Sequence, residues 1–167
     1  MTSPRRKTGP SRAAPQRPLE ILLIEDTPTE ARRTIRALRQ GRIRSRITVV
    51  EDGEEALTLL RSQPGFRPDV IFLDWDLPRR GAREILDAFK SDPTFRQVPI
   101  VVLSVSDLPD DVAAAYDGHA NSFVTKPADL EQFARVLKLV DVFWKRRVPD
   151  HCEASVRVPP KGQVNPK

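Results

Sequence analysis

Two acidic stretches, one serine and one lysine are the residues of this chain that could do chemistry together. Glu25-Asp26 and Asp74-Trp75-Asp76 each follow a run of apolar residues. Ser104 follows a third apolar run, and Lys126 precedes Pro127 after a fourth. Carboxylates held close together repel one another and need a cation. Oxygen ligands select a hard ion, and Mg²⁺ tolerates a few carboxylates together with several waters.

The same residue types could accept and hold a phosphoryl group. A carboxylate can act as a nucleophile and form an aspartyl phosphate, and a bound Mg²⁺ would neutralise the incoming charge. The ammonium of Lys126 offers a point charge to a phosphoryl oxygen, and the hydroxyl of Ser104 offers a hydrogen bond. Each residue alone has a plainer explanation as a helix cap, a turn residue or a solvated loop residue. The chemistry therefore depends on whether the fold brings them together.

Short apolar runs alternate with segments of helical period along most of the chain. Strands are predicted at residues 19–24, 46–50, 69–74, 99–103 and 121–124, and helices at 29–40, 54–61, 83–90, 109–116 and 129–146. This alternation implies right-handed βαβ units and a parallel sheet. Ligands of such a sheet bind outside the carboxyl ends of its strands. The sequence thus predicts a doubly wound α/β domain whose acids, Ser104 and Lys126 converge on one edge.

Proline and charge divide the 167 residues into one domain and two tails. Half of the 16 prolines lie outside residues 19–148. Residues 1–18 hold five basic residues and no acid, which accounts for the net charge of +5. We predict a basic disordered tail over 1–18, a domain over 19–148 and a C-terminal tail over 149–167. The basic tail has no aromatic residue to stack on a base, so nucleic-acid binding is not expected.

Hydropathy and cysteine content indicate a cytoplasmic protein without a membrane partner. The longest apolar run, at residues 98–103, is far shorter than the roughly 20 residues that a membrane-spanning helix needs. The N-terminus is basic but lacks the apolar segment of a secretory signal. The single cysteine, Cys152, allows no internal disulfide, which fits a reducing compartment.

Residues 19–148 resemble the receiver domains of two-component response regulators. The motifs ILLIEDTP, VIFLDWDLP, VVLSVSD and FVTKP carry this resemblance in the same order. Their spacing also agrees, with 30 residues from Asp74 to Ser104 and 22 more to Lys126. The resemblance implies a flavodoxin-like, five-stranded parallel sheet in the order 2-1-3-4-5, folded as a single domain.

The resemblance assigns the acids to an acceptor and a Mg²⁺ site. Asp74 would accept the phosphoryl group. Asp26 and Asp74 would ligate Mg²⁺ directly, together with the backbone carbonyl of Asp76. Glu25 would act through a metal-bound water.

The resemblance also assigns a phosphoryl-binding pair and a switch. Ser104 and Lys126 would bind the phosphoryl group. Phe123 would be the aromatic switch that turns inward as Ser104 moves toward the phosphate. The bond between Lys126 and Pro127 would be cis.

A finer resemblance points to the partner. The stretches ARRTIRAL, VVEDGEEAL, DPTFRQVPIVVLSVS, YDGHANSFVTKPADLEQF and DVFW are similar to stand-alone regulators that partner phytochrome-type histidine kinases. Such a protein lacks an output domain and would signal by protein contacts. It would be no enzyme beyond its own phosphotransfer and autodephosphorylation.

Three positions depart from the family pattern. Ala82 stands where a glycine is usual, with Gly81 one residue earlier, and His119 replaces a glycine before the fifth strand. Because glycine permits backbone angles that Ala and His resist, both loops could be reshaped. Asp76 stands where asparagine is common in the subgroup. Its extra carboxylate could attract a cation or repel an attacking hydroxide and so slow dephosphorylation.

The last helix carries two apolar stripes. The first, which should pack on the sheet, comprises Leu130, Phe133, Leu137, Val140 and Trp144. The second, beside it, comprises Val136, Leu139 and Phe143. One stripe suffices to cover a sheet face, so the second predicts a homodimer through this helix.

Two other functions stay open at this point. A haloacid-dehalogenase-type phosphatase also uses a strand followed by Asp-x-Asp, but its pattern has threonine where this chain has Pro78. That family also gives no reason for Glu25-Asp26. A receiver that acts as a phosphorylation-independent scaffold is the other alternative, and the intact residue set argues against it.

Overall fold

The computed structural model describes residues 17–78, 81–145 and 155–157, with the backbone alone for 142–145 and 155–157. Strands and helices alternate from the first described residues to Lys145, and one more strand follows. The elements are β1 (Leu19–Ile24), α1 (Pro28–Gln40), β2 (Ser45–Val50), α2 (Gly53–Ser62), β3 (Val70–Asp74), α3 (Ala82–Ser91), β4 (Ile100–Ser104), α4 (Pro109–Asp117), β5 (Ser122–Thr125), α5 (Leu130–Lys145) and β6 (Ser155–Arg157).

All strand pairs of the sheet are parallel, and the strand order is β5-β4-β3-β1-β2-β6. The predicted order 2-1-3-4-5 and the α/β fold class are thus confirmed. Alternate residues of each strand point to opposite faces, which divides the core into two clusters. One joins Ile21 and Leu23 to α1 and α5, and the other joins Leu22 and Ile24 to α2 and α3.

The sixth strand was not predicted. β6 pairs with β2, with Ile47 opposite Val156, and lies within the predicted C-terminal tail of residues 149–167. The predicted basic tail lies outside the described residues except for Arg17 and Pro18. Arg17 is held against the domain by an ion pair with Asp69.

Helix N-termini along the carboxyl edge of the sheet are set by local sequence. Pro28 and Pro109 stand in the first turns of α1 and α4, where a missing backbone N–H breaks no helical hydrogen bond. The side chain of Asp52 caps α2 by accepting a hydrogen bond from the backbone N–H of Glu55. Because Pro28 is its first residue, helix α1 begins only two residues after Asp26.

The two altered glycine positions behave differently. His119 adopts a φ of 65°, so the loop before β5 keeps a left-handed backbone without glycine, at a cost of about 1–2 kcal/mol. Ala82 begins α3 after Gly81, whose φ of −51° needs no glycine. Arg42, between α1 and β2, is the other non-glycine residue with positive φ in the described part of the chain.

The described part of the first stripe of α5 packs in the core as predicted, with Phe133 and Leu137 fully buried and Leu130 and Val140 partly buried. Of the second stripe, Val136 packs partly against the core, whereas Leu139 is 71% exposed. The side chains of Phe143 and Trp144 lie outside the described residues. Across the ranges that the structure describes, none of the helices combines the length and the apolar character that a bilayer span requires.

Candidate functional site

The acids converge because β1 and β3 are neighbours in the sheet. Glu25 and Asp26 follow the last residue of β1, and Asp74 ends β3. The Glu25 and Asp74 side chains are buried, with the residues only 3% and 4% exposed. The backbone N–H of Thr27 donates a hydrogen bond of 3.1 Å to Glu25 Oε1. The Glu25 and Asp74 carboxylates therefore lie where water cannot solvate them fully.

Lys126 reaches these acids from the far side of the site. Its backbone N–H donates to the carbonyl oxygen of Ser104 at 2.6 Å, which carries the β4–β5 pairing past the end of β5. Its buried Nζ donates to Glu25 Oε2 at 2.9 Å and to Asp74 Oδ1 at 2.8 Å. One ammonium group therefore bridges the ends of β1 and β3.

Burial and hydrogen bonding shift the pKa values of Asp74, Glu25 and Lys126. Burial raises the pKa of Asp74 and of Glu25 above their ordinary values, although the hydrogen bonds from Lys126 oppose the rise. Burial lowers the pKa of Lys126, but its hydrogen bonds to Asp74 and Glu25 outweigh that and raise it overall. The lysine is thus firmly charged, and the site holds more carboxylates than one cation can neutralise.

Three carboxylates lie close enough to share a metal ion. Glu25, Asp26 and Asp74 each present an oxygen within 4.8 Å of the others. An all-oxygen ligand set suits a hard divalent cation, so the residues fit the predicted kind of metal. The Asp76 side chain is exposed and is not one of these three carboxylates.

Ser104 lies where the sequence predicts it. It is the last residue of β4 and is fully buried. Its Oγ accepts a hydrogen bond of 3.0 Å from the backbone N–H of Ser106, which orders the loop that leads to α4. This hydroxyl can still donate its own hydrogen.

The predicted switch residue contacts the residue after the acceptor. The rings of Phe123 and Trp75 meet edge to face, with centroids 6.3 Å apart and an angle of 68° between planes. Both side chains are partly buried against the second core cluster. Trp75, which is adjacent to Asp74 in sequence, thus packs against the predicted switch.

Sequence reasoning missed two residues of the site, both on α1. Glu30 Oε2 lies 3.8 Å from Lys126 Nζ and 3.5 Å from Arg33 Nη1. Arg33 Nη2 donates a hydrogen bond to the carbonyl oxygen of Pro127. Its guanidinium also stacks over the ring of Phe133, 5.6 Å from the centroid. The available signal was an acid in the first turn of a helix that begins directly beside the site.

The expected cis bond is wrong. Among the described residues no peptide bond is cis, so the bond between Lys126 and Pro127 is trans. The trans form of such a bond is favoured by about 0.5–1 kcal/mol unless its surroundings demand the other isomer. Here the trans bond is compatible with the contact between Arg33 and the Pro127 carbonyl.

This arrangement of acids, lysine and buried hydroxyl matches a known family. Residues 21–138 match the family described as response regulator receiver domain. The chain belongs to this family. It is 33% identical to response regulator Rcp1 of Synechocystis sp. over 135 residues, which cover 78% of this chain and 92% of that protein.

Solved structures agree with this assignment. The phosphorylated cyanobacterial phytochrome response regulator RcpA matches with a TM-score of 0.69 and 36% identity, over 82% of this chain and all of that one. The Mn²⁺-bound form of Rcp1 matches with a TM-score of 0.67 and 31% identity, over 81% of this chain and all of that one. The chain is therefore a receiver domain of the response regulator type, a class of signalling proteins. The matches give no support to a phosphatase of the haloacid dehalogenase type.

Proposed function

We propose that this receiver domain accepts a phosphoryl group on Asp74 from a histidine kinase and signals through protein contacts. The observation that carries the proposal is the buried Asp74 carboxylate, 2.8 Å from Lys126 Nζ and within 4.8 Å of two further acids. A buried carboxylate at the carboxyl end of a central strand is placed for attack on an incoming phosphorus. Transfer forms the Asp74 oxygen–phosphorus bond and breaks the bond between phosphorus and the kinase histidine.

Mg²⁺ is the cation that we assign to the three acids. Asp26 and Asp74 would bind it directly with the backbone carbonyl of Asp76, and Glu25 would act through a water. When bound, the ion supplies positive charge against the oxygens of the phosphoryl group. The solved Mn²⁺-bound form of Rcp1 supports a divalent ion in a protein of this kind.

Lys126 and Ser104 are the residues that would hold the phosphoryl oxygens. The Lys126 ammonium can leave the Asp74 carboxylate for a phosphoryl oxygen with little movement, because it already contacts the acceptor. The buried Ser104 hydroxyl can donate to a second oxygen. Movement of Ser104 would leave space for Phe123 to turn inward, and Phe123 would then lose its present contact with Trp75.

A phytochrome-type histidine kinase is the partner that the relatives favour. RcpA, which is 36% identical, is a phytochrome response regulator. Signalling in this proposal is cytoplasmic, and its only reactions are self-phosphotransfer and autodephosphorylation. A homodimer through α5 is also proposed, and Leu139, exposed on that helix, supports it.

One experiment tests the central step. The protein is incubated with Mg²⁺ and acetyl phosphate, and its intact mass is measured. We expect the mass of one added phosphoryl group, absent in Asp74→Asn and retained in Glu131→Gln, an exposed residue of α5. An unmodified wild-type mass under conditions that phosphorylate RcpA would refute the proposal.

Two further measurements test the partner and the dimer. Phosphotransfer from a phosphorylated phytochrome kinase core should be faster than from an unrelated histidine kinase. Light scattering at high concentration, with and without a phosphoryl analogue, should show a dimer that Leu139→Glu weakens. A monomer throughout would contradict the dimer and leave the phosphotransfer proposal standing.

The side chain of Asp76 is proposed to slow dephosphorylation. Its exposed carboxylate would repel an attacking hydroxide. At contact distance in water such repulsion is about 1 kcal/mol, or about fivefold in rate. We therefore expect the phosphoryl lifetime, measured by loss of added mass, to be shorter in Asp76→Asn than in wild type. An unchanged or longer lifetime would refute this role.

A further inference from the structure

Lys126 faces a third carboxylate that the family resemblance did not supply. Its ammonium has three donors, and Glu25 and Asp74 accept hydrogen bonds from it. Glu30 Oε2 lies 3.8 Å from the same nitrogen, too far for a hydrogen bond but within ion-pair distance. This oxygen is buried and accepts no hydrogen bond from the described part of the chain.

Arg33 holds Glu30 in that place. Its Nη1 lies 3.5 Å from Glu30 Oε2, and its Nη2 donates to the carbonyl of Pro127, the residue after Lys126. The guanidinium also lies over the ring of Phe133. One side chain thus ties Glu30 to the loop that carries Lys126, and both to α5, so the distance between Glu30 and Lys126 is set by packing.

The acids that hold Lys126 are also the acids that would hold the cation. Glu25 and Asp74 belong to the group of three with converging oxygens. An ammonium and a divalent ion in this group repel each other and compete for the same oxygens. Lys126 must give up hydrogen bonds as these carboxylates turn to the ion, and a buried ammonium that loses its acceptors is strongly disfavoured.

We propose that Glu30 is a positioning residue that gives Lys126 a replacement acceptor when Glu25 and Asp74 bind the cation. As Glu25 and Asp74 turn to the cation, Lys126 closes the 3.8 Å gap and donates to Glu30 Oε2. It thereby stays charged beside Asp74, available to a phosphoryl oxygen. Arg33 keeps the acceptor in reach. This inference rests on the proposed function, because it assumes that the three acids bind a divalent ion.

Two simpler explanations of Glu30 make different predictions. An ion pair with Arg33 three residues away on one helix stabilises by a few tenths of a kcal/mol and has no bearing on the site. A purely Coulombic role would let Glu30 attract the cation directly, whether or not Lys126 is present. Only a role that acts through Lys126 vanishes when that lysine is removed.

The test is a double-mutant cycle read out as Mg²⁺ affinity. Binding is measured in the full chain by calorimetry. It is also followed by tryptophan fluorescence, to which Trp75, beside Asp74, and Trp144 both contribute. We expect Glu30→Gln to weaken Mg²⁺ binding about tenfold in the wild-type background, the size of one hydrogen bond to a charged group. In the Lys126→Met background the same change should alter the affinity less than twofold.

Three outcomes would overturn the proposal. One is an unchanged affinity in Glu30→Gln. Another is an equal loss in both backgrounds, which would make the role Coulombic. The third concerns Glu30→Asp, which keeps the charge on a shorter side chain. This variant also tests the proposal if Lys126→Met fails to fold. We expect it to bind Mg²⁺ nearly as weakly as Glu30→Gln, and wild-type affinity would overturn the inference.

Matched controls separate this inference from the proposed function. Glu131→Gln removes an exposed acid of α5 and should leave Mg²⁺ affinity unchanged. Arg33→Met keeps Glu30 but removes the ion pair that positions it. It should weaken Mg²⁺ binding less than Glu30→Gln does. If Asp74 gains no phosphoryl group although the cycle behaves as expected, the proposed function fails and the positioning role stands. If Asp74 is phosphorylated and the cycle shows no coupling, the positioning role alone fails.

Discussion

An aspartate lies at each end of β3, half-buried Asp69 before the strand and buried Asp74 at its last residue. The two differ in how fully their negative charges are paired. Asp69, just before the strand, receives two hydrogen bonds of 2.7 and 2.6 Å from the guanidinium of Arg17. A third, of 2.9 Å, comes from the backbone N–H of Glu20. Asp74, at the other end, shares one ammonium with Glu25. Among the described residues, one cation faces one carboxylate at the amino end, and one cation faces two carboxylates at the carboxyl end.

This difference separates an ion pair that stabilises the fold from one that prepares a site. The pKa of Arg17 is raised by its hydrogen bonds to Asp69, so folding favours the charged pair. The pKa of Asp74 is raised by burial, so folding disfavours its charged form. A carboxylate that the fold leaves under-neutralised is one that a cation or a phosphoryl donor can engage.

The largest expected effect is the loss of the lysine that bridges the acids. Lys126→Met leaves two buried carboxylates without the cation that pairs with both of them among the described residues. It should lower the free energy of unfolding by about 3–5 kcal/mol without metal. Arg17→Met removes a half-exposed partner, 55% accessible, and should cost at most about 1 kcal/mol. Urea unfolding in EDTA measures both. We expect added Mg²⁺ to restore stability in Lys126→Met and not in Arg17→Met. Equal losses of stability in the two variants would contradict the difference between the two ends of β3.

The same substitution should have opposite signs at the two ends. Asp74→Asn removes a charge that folding disfavours, so the metal-free protein should gain about 1 kcal/mol. Asp69→Asn removes a charge that Arg17 and the Glu20 N–H stabilise, and should cost about 1 kcal/mol. Thermal unfolding in EDTA gives both signs. A loss of stability in Asp74→Asn would mean that its bond to Lys126 outweighs its burial.

The stability of the metal-free protein should also depend on pH through the site. Because the pKa values of Asp74 and Glu25 are raised on folding, the unfolded chain loses its protons first as pH rises from about 4. This destabilisation is absent below the unfolded pKa values, grows through the interval, and is complete above the folded ones. Subtracting the pH profile of Asp74→Asn from that of wild type should therefore give a curve that falls with pH. A flat difference would contradict the raised pKa of Asp74.

The smallest effect concerns strain at the amino edge. His119 has a φ of 65° and is exposed, so His119→Gly should raise the free energy of unfolding by about 1 kcal/mol. Arg42→Gly, with a φ of 53°, should behave similarly. Arg96→Gly is the control, since its φ is not positive and glycine there should destabilise. Stabilisation of all three variants by the same amount would show that left-handed strain is not the cause.

The residues of the site that the sequence predicted are those that end strands. Their place follows from the alternation of strands and helices alone, because parallel strands put their carboxyl ends at one edge. Asp74 and Glu25 were found in this way, and the three converging acids that include them support the predicted divalent ion. Asp76 was predicted to contribute only its backbone carbonyl, and its exposed side chain is not one of the three converging carboxylates.

What sequence reasoning missed depends on packing between distant elements. The contact of Glu30 with Lys126 requires α1 and the loop after β5 to lie at a particular distance, which Arg33 and Phe133 set. The trans bond before Pro127 was also missed. The third omission, β6, has three residues, too few for a period, and its partner β2 lies more than 100 residues earlier. No pattern within a single segment of the sequence predicts these three features.

The position of β6 has a consequence for the behaviour of the protein in concentrated solution. Without it, β2 would end the sheet, and its row of unpaired N–H and C=O groups could template growth of a sheet through other chains. β6 occupies that row at Arg46, Ile47 and Thr48 and presents an edge of only three residues in its place. We therefore expect β6 to reduce the tendency of the sheet to grow through other chains. A variant cut after α5 should become turbid on storage, while the 167-residue chain stays clear.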